Sequence, residues 1–326
     1  IHRTMYKFFK TENLIYDGQF GFRENHSTKH AVIALTESIR AALDKNEFAA
    51  GIFVDLQKAF DTVEHDILLK KLDHYGIRGV NNNLISSYLS NRKHFVKIRK
   101  HKSKLIESKH GVPQGSVLGP LLFIIYINDL HKAILHSKTF HFADDTCLLY
   151  ENKSLKQINK RVNHDLKKLV DWLRCNKISL NSKKTDIIIF RTKNMNLDKK
   201  GITPNSKDED NPKNLNFRLS GQKLSLKQNV KYLGIHLDQH LDWKTNINFL
   251  SKKLSQSVGV ITKLRHFLDY KTMLQLYYAI FDTHISYHMQ VVGTTTAENM
   301  NKVNRLQKKA LRLIHCKANH DSMLPI

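Results

Sequence analysis

Cysteine, proline and acidic side chains are the scarce residues of this 326-residue chain. Three cysteines, Cys147, Cys175 and Cys316, make no disulfide framework and suit a reducing compartment. Five prolines exclude a proline-rich stalk or linker. No signal or targeting segment is visible. The longest apolar run, VLGPLLFIIYI (117–127), falls well short of the ~20 residues needed to span a bilayer. It reads as buried core, which argues against a membrane protein. Asp and Glu together number 29 against 53 Lys plus Arg, leaving a formal charge of +24. The excess is spread along the chain and not gathered in a tail, so the folded body carries a positive surface. Such a surface fits a polyanion, with nucleic acid ahead of an anionic membrane.

At 41% apolar residues the chain can bury a large core and form more than one lobe. Helical spacing covers 2–16 and 27–45, the second capped by Ser27 or Thr28. FAAGIFVDL (48–56) is apolar enough for a central strand ending at Asp55, and a helix through Ile67, Leu68, Leu69 and Leu72 stops near Gly76. A short helix at 80–90 and an alternating strand HFVKIRK (94–100) precede the turn-rich loop GVPQGSVLGP (111–120). FHFADDTCLLY (140–150) reads as a hairpin with Asp144 and Asp145 at its tip. An amphipathic helix (154–175), a loop with strand (180–190) and a strand-like VKYLGIHLD (230–238) follow. Residues 191–216 are polar and aperiodic, and are expected to be a mobile surface insertion. The period turns helical near 240, with helices at about 244–265, 270–289 and 297–314. The pattern is of the α+β class: a sheet-bearing palm followed by a helical thumb. Both ends look like cuts in a longer product.

Two adjacent carboxylates inside an apolar hairpin repel each other and resist desolvation unless a cation meets them. If the strands bearing Asp55 and Asp144–Asp145 are neighbours, three carboxylates share one rim. Hard divalent ions suit such an oxygen set and support phosphoryl transfer. A polar turn without chemistry, or a two-carboxylate glycosidase, is the alternative. The basic charge disfavours a neutral sugar substrate.

The chain resembles the reverse transcriptase domain of non-LTR, LINE-like retrotransposons of the jockey type. The resemblance rests on QFGFRENHSTKHAV (19–32), FVDLQKAFDTVEH (53–65), GVPQGSVLGPLLFIIYINDL (111–130), FADD (142–145), SLNSKKTDIIIF (179–190) and VKYLGIHLD (230–238), in that order. It implies a right-hand polymerase: partial fingers and palm over 1–240, a helical thumb over 241–290, and the start of a helical C-terminal region over 291–326. It also implies Asp55, Asp144 and Asp145 as catalytic carboxylates. Asp55, Asp144, Asp145 and the Leu56 backbone would hold two Mg²⁺ ions, with Mn²⁺ as the alternative.

Arg23, Leu56, Phe60, Gln114, Gly115 and Lys184 are then nucleotide-binding. Phe60 would sit under the sugar and disfavour a 2′-hydroxyl; packing at a helix start is its plainer role. Asp61 is expected to orient the local turn. Lys184 would face the pyrophosphate, with Lys183 as a surface alternative. Tyr232, Leu233 and Gly234 resemble a primer-gripping turn, and Lys252, Lys253, Lys263 and Arg265 would follow the duplex. The implied partners are RNA template, DNA primer or RNA–DNA hybrid, and deoxynucleoside triphosphates. The expected state is a monomer acting in the nucleus, after assembly with RNA in the cytoplasm. A catalytically inactive remnant that binds RNA or hybrid is the alternative. Cys316 and His320 offer two ligands of a metal knuckle, which do not close a zinc site.

Overall fold

A computed structural model of the chain describes residues 1–195, 215–292 and 295–315. Most of the expected 191–216 insertion, and the Cys316/His320 pair, lie outside the described residues. The chain divides into two compact units, Ile1–Lys227 and Gln228–Ile326.

The first unit opens with α1 (His2–Thr11) and α2 (Thr28–Asp44). α1 ends earlier than its apolar spacing suggests, because Asn13 adopts a left-handed backbone conformation, φ +51°. Ser27 caps α2, its side chain accepting from the His30 N–H. β1 (Phe48–Val54) follows, buried along nearly its whole length. The short β2 (Leu56–Gln57), α3 (His65–His74) and α4 (Gly79–Leu89) come next.

Residues 92–109 form two minimal ladders rather than the single expected strand. β3 (Lys93–His94) pairs with β6 (Ile106–Glu107), and β4 (Lys97–Ile98) with β5 (His101–Lys102). All four are exposed, and their apolar side chains, Ile98 and Ile106, find no core to pack against.

α5 (Gly119–Ile127) is apolar all round and buried all round, as such a helix must be. The short α6 (Leu130–Ala133) leads into β7 (Lys138–Phe142) and β8 (Asp145–Asn152), the expected hairpin. α7 (Leu155–Cys175) is capped by Ser154 and buries Leu155, Ile158, Val162, Leu166, Leu169 and Leu173 on one stripe. β9 (Ser179–Leu180) and β10 (Asp186–Phe190) follow. β11 (Arg218–Leu219), β12 (Gln222–Lys223) and β13 (Leu226–Lys227) complete the unit.

The main sheet has the order β13-β10-β1-β8-β7. Every pairing is antiparallel except β10 with β13. β1 is therefore central, between the hairpin and β10, and helices flank the sheet. This is the α+β class expected from the pattern. Each large core side chain such as Phe123 or Ile52, fully buried here, contributes about 1.5–3 kcal/mol by leaving water.

The second unit begins with the hairpin β14 (Asn229–Tyr232) and β15 (Ile235–Asp238), then α8 (Lys244–Leu264), α9 (Tyr270–Tyr277), a π-helical turn (Tyr278–Asp282), α10 (Thr283–Val292) and α11 (Ala297–His315). The division falls before the change of period near 240 because this hairpin is knitted to the helices. The Asp238 carboxylate accepts from the backbone N–H groups of His240, Asp242 and Trp243, at the entrance to α8. The Asn246 side chain accepts from the His236 N–H and donates to His288 on α10.

Candidate active site

The register of β1 against β8 decides where the acidic residues lie. Val54 pairs with Thr146, the last rung of that ladder. Asp55 therefore leaves β1 where Asp145 opens β8, and neighbouring strands are about 5 Å apart. Phe142 pairs with Asp145 across a two-residue turn of Ala143 and Asp144. The three carboxylates thus share one end of the sheet. Asp55 and Asp144 are half-buried, and Asp145 is exposed.

Their electrostatics carry the mark of crowding. The Asp144 carboxyl is raised above the usual range by desolvation, with the Asp55 charge adding to it. Asp145 is pushed up to about 6, by desolvation first and then by the charges of Asp144 and Asp55. Among the described residues no lysine or arginine pairs with any of the three. A rim of oxygen donors with unbalanced negative charge fits a hard divalent cation. The rim is splayed: the three carboxylates do not bring their oxygens all within 4.8 Å of one another. An ion held there would have to draw the rest of its shell from water or phosphate oxygens.

The turn is held from outside. Ala143 has φ +54°, a conformation costly for a residue with a Cβ. Gln19, itself buried, offers Oε1 to the N–H groups of both Gly21 and Ala143. The Phe20 N–H donates to the His141 carbonyl, and the His141 N–H to the Gly18 carbonyl, so the Tyr16–Phe20 segment runs along β7. A Cβ on Gly21 would come within 2.4 Å of the Ala143 nitrogen, so the close approach needs glycine. Gln19 is a positioning residue that periodicity gave no way to find; its place in the QFGF motif was the available signal. Arg23 belongs to the same brace, donating Nη1 to the carbonyls of Tyr16 and Gln19.

On the other side, the Asn181 N–H donates to the Asp55 carbonyl and β2 pairs with β9. This brings the loop of Lys184, an exposed residue, to the carboxylate end of β1, together with the buried Leu56. The GVPQGS loop docks on the turn that follows β2. The Gly111 N–H donates to the Val63 carbonyl and the Val112 N–H to the Phe60 carbonyl. Gly111 has φ +87°, and a Cβ there would meet the Asp61 backbone at 2.8 Å. Gln114 donates to the Asp61 carboxylate, so Asp61 orients the loop. Gly115 is exposed with φ +76°. Phe60 stacks on Phe123 of α5 with ring centroids 4.2 Å apart and meets the Phe22 ring edge-on at 6.1 Å. It is half-buried, so its face is braced from the core while part of the ring stays accessible.

Asp55, Leu56, Asp144, Asp145, Phe60, Gln114, Gly115 and Lys184 therefore belong to one unit and to connected segments of it. Tyr232, Leu233 and Gly234 form the turn of the β14–β15 hairpin in the second unit. Leu233 and Gly234 have φ of +45° and +85°. The Tyr287 hydroxyl donates to the Leu233 carbonyl, holding that turn against α10.

The family model described as "Reverse transcriptase (RNA-dependent DNA polymerase)" matches residues 1–237. The chain belongs to the reverse transcriptase family. The probable RNA-directed DNA polymerase from transposon BS of Drosophila melanogaster is 30% identical over 324 residues, covering 92% of this chain and 33% of that protein. The RNA-directed DNA polymerase from mobile element jockey of the same fly is 28% identical over 306 residues, covering 91% of this chain and 31% of its own. This reverse transcriptase domain thus sits in the non-LTR, jockey-like branch, and the chain spans about a third of the length of those relatives. Apo telomerase from Candida tropicalis superposes with a TM-score of 0.52 at 11% identity, covering 97% of this chain and 49% of that one. At that identity the likeness is one of fold. Among the described residues no helix is long and apolar enough to cross a membrane.

Proposed function

We propose that the chain extends a DNA 3′-hydroxyl on an RNA template, using deoxynucleoside triphosphates, as part of retrotransposition. The observation that carries this reading is the Val54–Thr146 rung, which sets Asp55 beside Asp144 and Asp145. In this reading Asp55, Asp144 and Asp145, with the Leu56 carbonyl, hold two Mg²⁺ or Mn²⁺ ions. Held there, such ions would supply a lowered pKa for the hydroxyl and charge stabilisation at the oxygens of the transferring phosphoryl group. The protein's own part is positioning. The Asp61–Gln114 lock sets the GVPQGS loop against the nucleotide, and Phe60, backed by Phe123, leaves no space for a 2′-hydroxyl. Lys184 approaches the phosphates from the Asn181 loop, and Leu233–Gly234 guides the primer. Lysines and arginines of 92–109 and of the helical unit draw in the duplex. The same reading makes the chain a monomer that acts on chromosomal DNA in the nucleus.

Primer extension of oligo(dT) on poly(rA), with Mg²⁺ or Mn²⁺, tests it. Incorporation by the wild type, abolished in Asp55→Asn with hybrid binding retained, is the expected result. Hybrid binding without incorporation under either metal would reduce the chain to a nucleic-acid-binding body. Extension by Asp55→Asn would remove the carboxylate assignment.

A further inference from the structure

At the opposite end of the β7–β8 hairpin from the carboxylate rim, a second group of ligand-type side chains converges. His136 lies in the segment entering β7, and His164 and Asp165 lie on α7. One ligand atom from each can be chosen so that all three lie within 4.8 Å of one another, and no other described group of three or more His, Cys, Asp or Glu does so. β7 alone, five residues long, separates this cluster from Asp144 by roughly 17 Å.

Asp165 is fully buried, with 0% of its side chain exposed. Such a carboxylate needs its charge cancelled. Its Oδ2 accepts from the His136 N–H at 2.9 Å and its Oδ1 from the Leu135 N–H at 3.4 Å. Among the described residues neither lysine nor arginine pairs with it. Its side-chain neighbours are the buried, uncharged Tyr150 and His164, whose Nδ1 stands 3.1 Å from Oδ1. Donors 3.1 Å apart, each 2.0–2.1 Å from one ion, subtend an angle of about 100° at it, within the range of tetrahedral coordination. The His136 and His164 rings are 5.2 Å apart by centroid, and both residues are exposed or nearly so. Rotation of the imidazoles can therefore close the remaining gap. The carboxylate meanwhile is already oriented by two backbone donors, the supporting contacts that metal ligands require.

We propose that His136, His164 and Asp165 form a binding site for a zinc-class divalent transition ion. Two imidazoles and one carboxylate select Zn²⁺, Co²⁺ or Ni²⁺ over Mg²⁺, which takes oxygen ligands. Three protein ligands leave the fourth position to water, since the site opens to solvent on its histidine side. The ion neutralises Asp165 and clamps the entry of β7 onto α7, steadying the hairpin whose far tip carries Asp144 and Asp145. The site does not depend on the polymerase reading and stands whether or not nucleotides are incorporated.

The test is titration of the metal-free full chain with Co²⁺ and Zn²⁺ in Mg²⁺-free buffer, followed by Co²⁺ absorption and a competing chromophoric chelator. The expected result is one tight equivalent with a tetrahedral-type Co²⁺ spectrum. Affinity should fall about tenfold or more in His136→Ala and in His164→Ala. Both histidines are at the surface, so the variants keep their far-UV spectrum, and Asp165 is left intact. Binding should be unchanged in Asp55→Asn/Asp144→Asn and in His26→Ala/His30→Ala, which removes another neighbouring histidine pair. Tight binding that survives loss of both His136 and His164, or that disappears with either control pair, overturns the proposal. So does the lack of any equivalent tighter than about millimolar in the wild type.

Discussion

Gln114 donates its side-chain Nε2 to Asp61 Oδ1 at 2.8 Å, joining a loop and a turn that are 53 residues apart. Both side chains are exposed, so the bond adds little to stability. Its effect lies in where it holds the loop. Gln114→Ala and Asp61→Ala should each raise KM for the incoming nucleotide by about three- to tenfold, while the midpoint of unfolding stays within about 0.5 kcal/mol of wild type. The double variant should be no worse than either single one, since both break the same contact. Asp61→Asn keeps an acceptor oxygen and should restore most of the loss. Steady-state kinetics with varied nucleotide concentration read all four.

Removing charge from the rim separates chemistry from folding. Asp55→Asn and Asp144→Asn should each lower incorporation by more than about a hundredfold, since loss of even an indirect metal partner costs tenfold to a hundredfold. The same changes relieve repulsion that raises the Asp144 and Asp145 carboxyls, so metal-free protein should unfold at an equal or higher denaturant concentration. A variant that lost activity together with stability would have failed by misfolding.

The parts of this site legible in the sequence are those tied to periodicity or to motif order. The FADD hairpin shows because apolar residues flank a polar pair on both strands. α5 shows because an unbroken apolar run of nine must be buried. Only its place in the QFGF motif points to Gln19: its role is a side-chain bond to a backbone nitrogen 124 residues away, which leaves no periodic pattern. The 92–109 segment misled for a related reason. HFVKIRK alternates, yet alternation marks a strand only when one face finds a core, and here neither does. The His136–His164–Asp165 group was hidden among 19 scattered histidines, because its members meet only once β7 and α7 pack.

His141 supplies a pH dependence with a definite sign. It is 3% exposed, shares a hydrogen bond with Thr146, and packs edge-on to the Tyr16 ring. Burial lowers its pKa to about 3, and the nearby His131 adds to the effect. The unfolded chain takes up a proton near pH 6.5 that the folded state refuses. Stability is therefore fully present above pH 6.5 and declines as pH falls from there towards 3. Between pH 7.5 and 5 this one residue should cost about 2 kcal/mol. His288 in the second unit, lowered to about 4 by burial and by His284 and His236, acts in the same direction. Asp145, raised to about 6, acts oppositely. Comparing wild type with His141→Gln by urea unfolding at both pH values cancels the other groups, and the variant should lose about that 2 kcal/mol of pH dependence.

Phe60 should govern discrimination against the 2′-hydroxyl. Phe60→Val opens space above Phe123 and should raise the ratio of ribonucleotide to deoxynucleotide kcat/KM about tenfold. The half-buried ring is also packing material, so the same change should cost about 1–2 kcal/mol of stability. Phe123→Leu, its stacked and fully buried partner, supplies the control. It should lose a similar stability and leave sugar selectivity near wild type. If both variants relax selectivity equally, the effect comes from loosened packing and Phe60 is not the group that meets the sugar.

The exposed ladders at 92–109 carry Arg92, Lys93, Lys97, Arg99, Lys100, Lys102, Lys104 and Lys109 with Glu107 as their acidic member. Arg99, with φ +53°, shapes the tip between β4 and β5. Since none of these elements buries a core, their basic side chains can be changed with little loss of stability. Affinity for an RNA–DNA hybrid should fall steeply as salt rises, because each neutralised phosphate releases counterions. Replacing Lys97, Arg99, Lys100 and Lys102 with glutamine, one at a time, should flatten the slope of log Kd against log salt by about one for every residue that touches a phosphate. Binding should weaken alike for hybrids of any sequence, since phosphate contacts position the protein without reading bases. Fluorescence anisotropy across a salt series measures the slope. Four variants with wild-type slopes would remove this segment from the duplex path and leave the attraction to the helical unit.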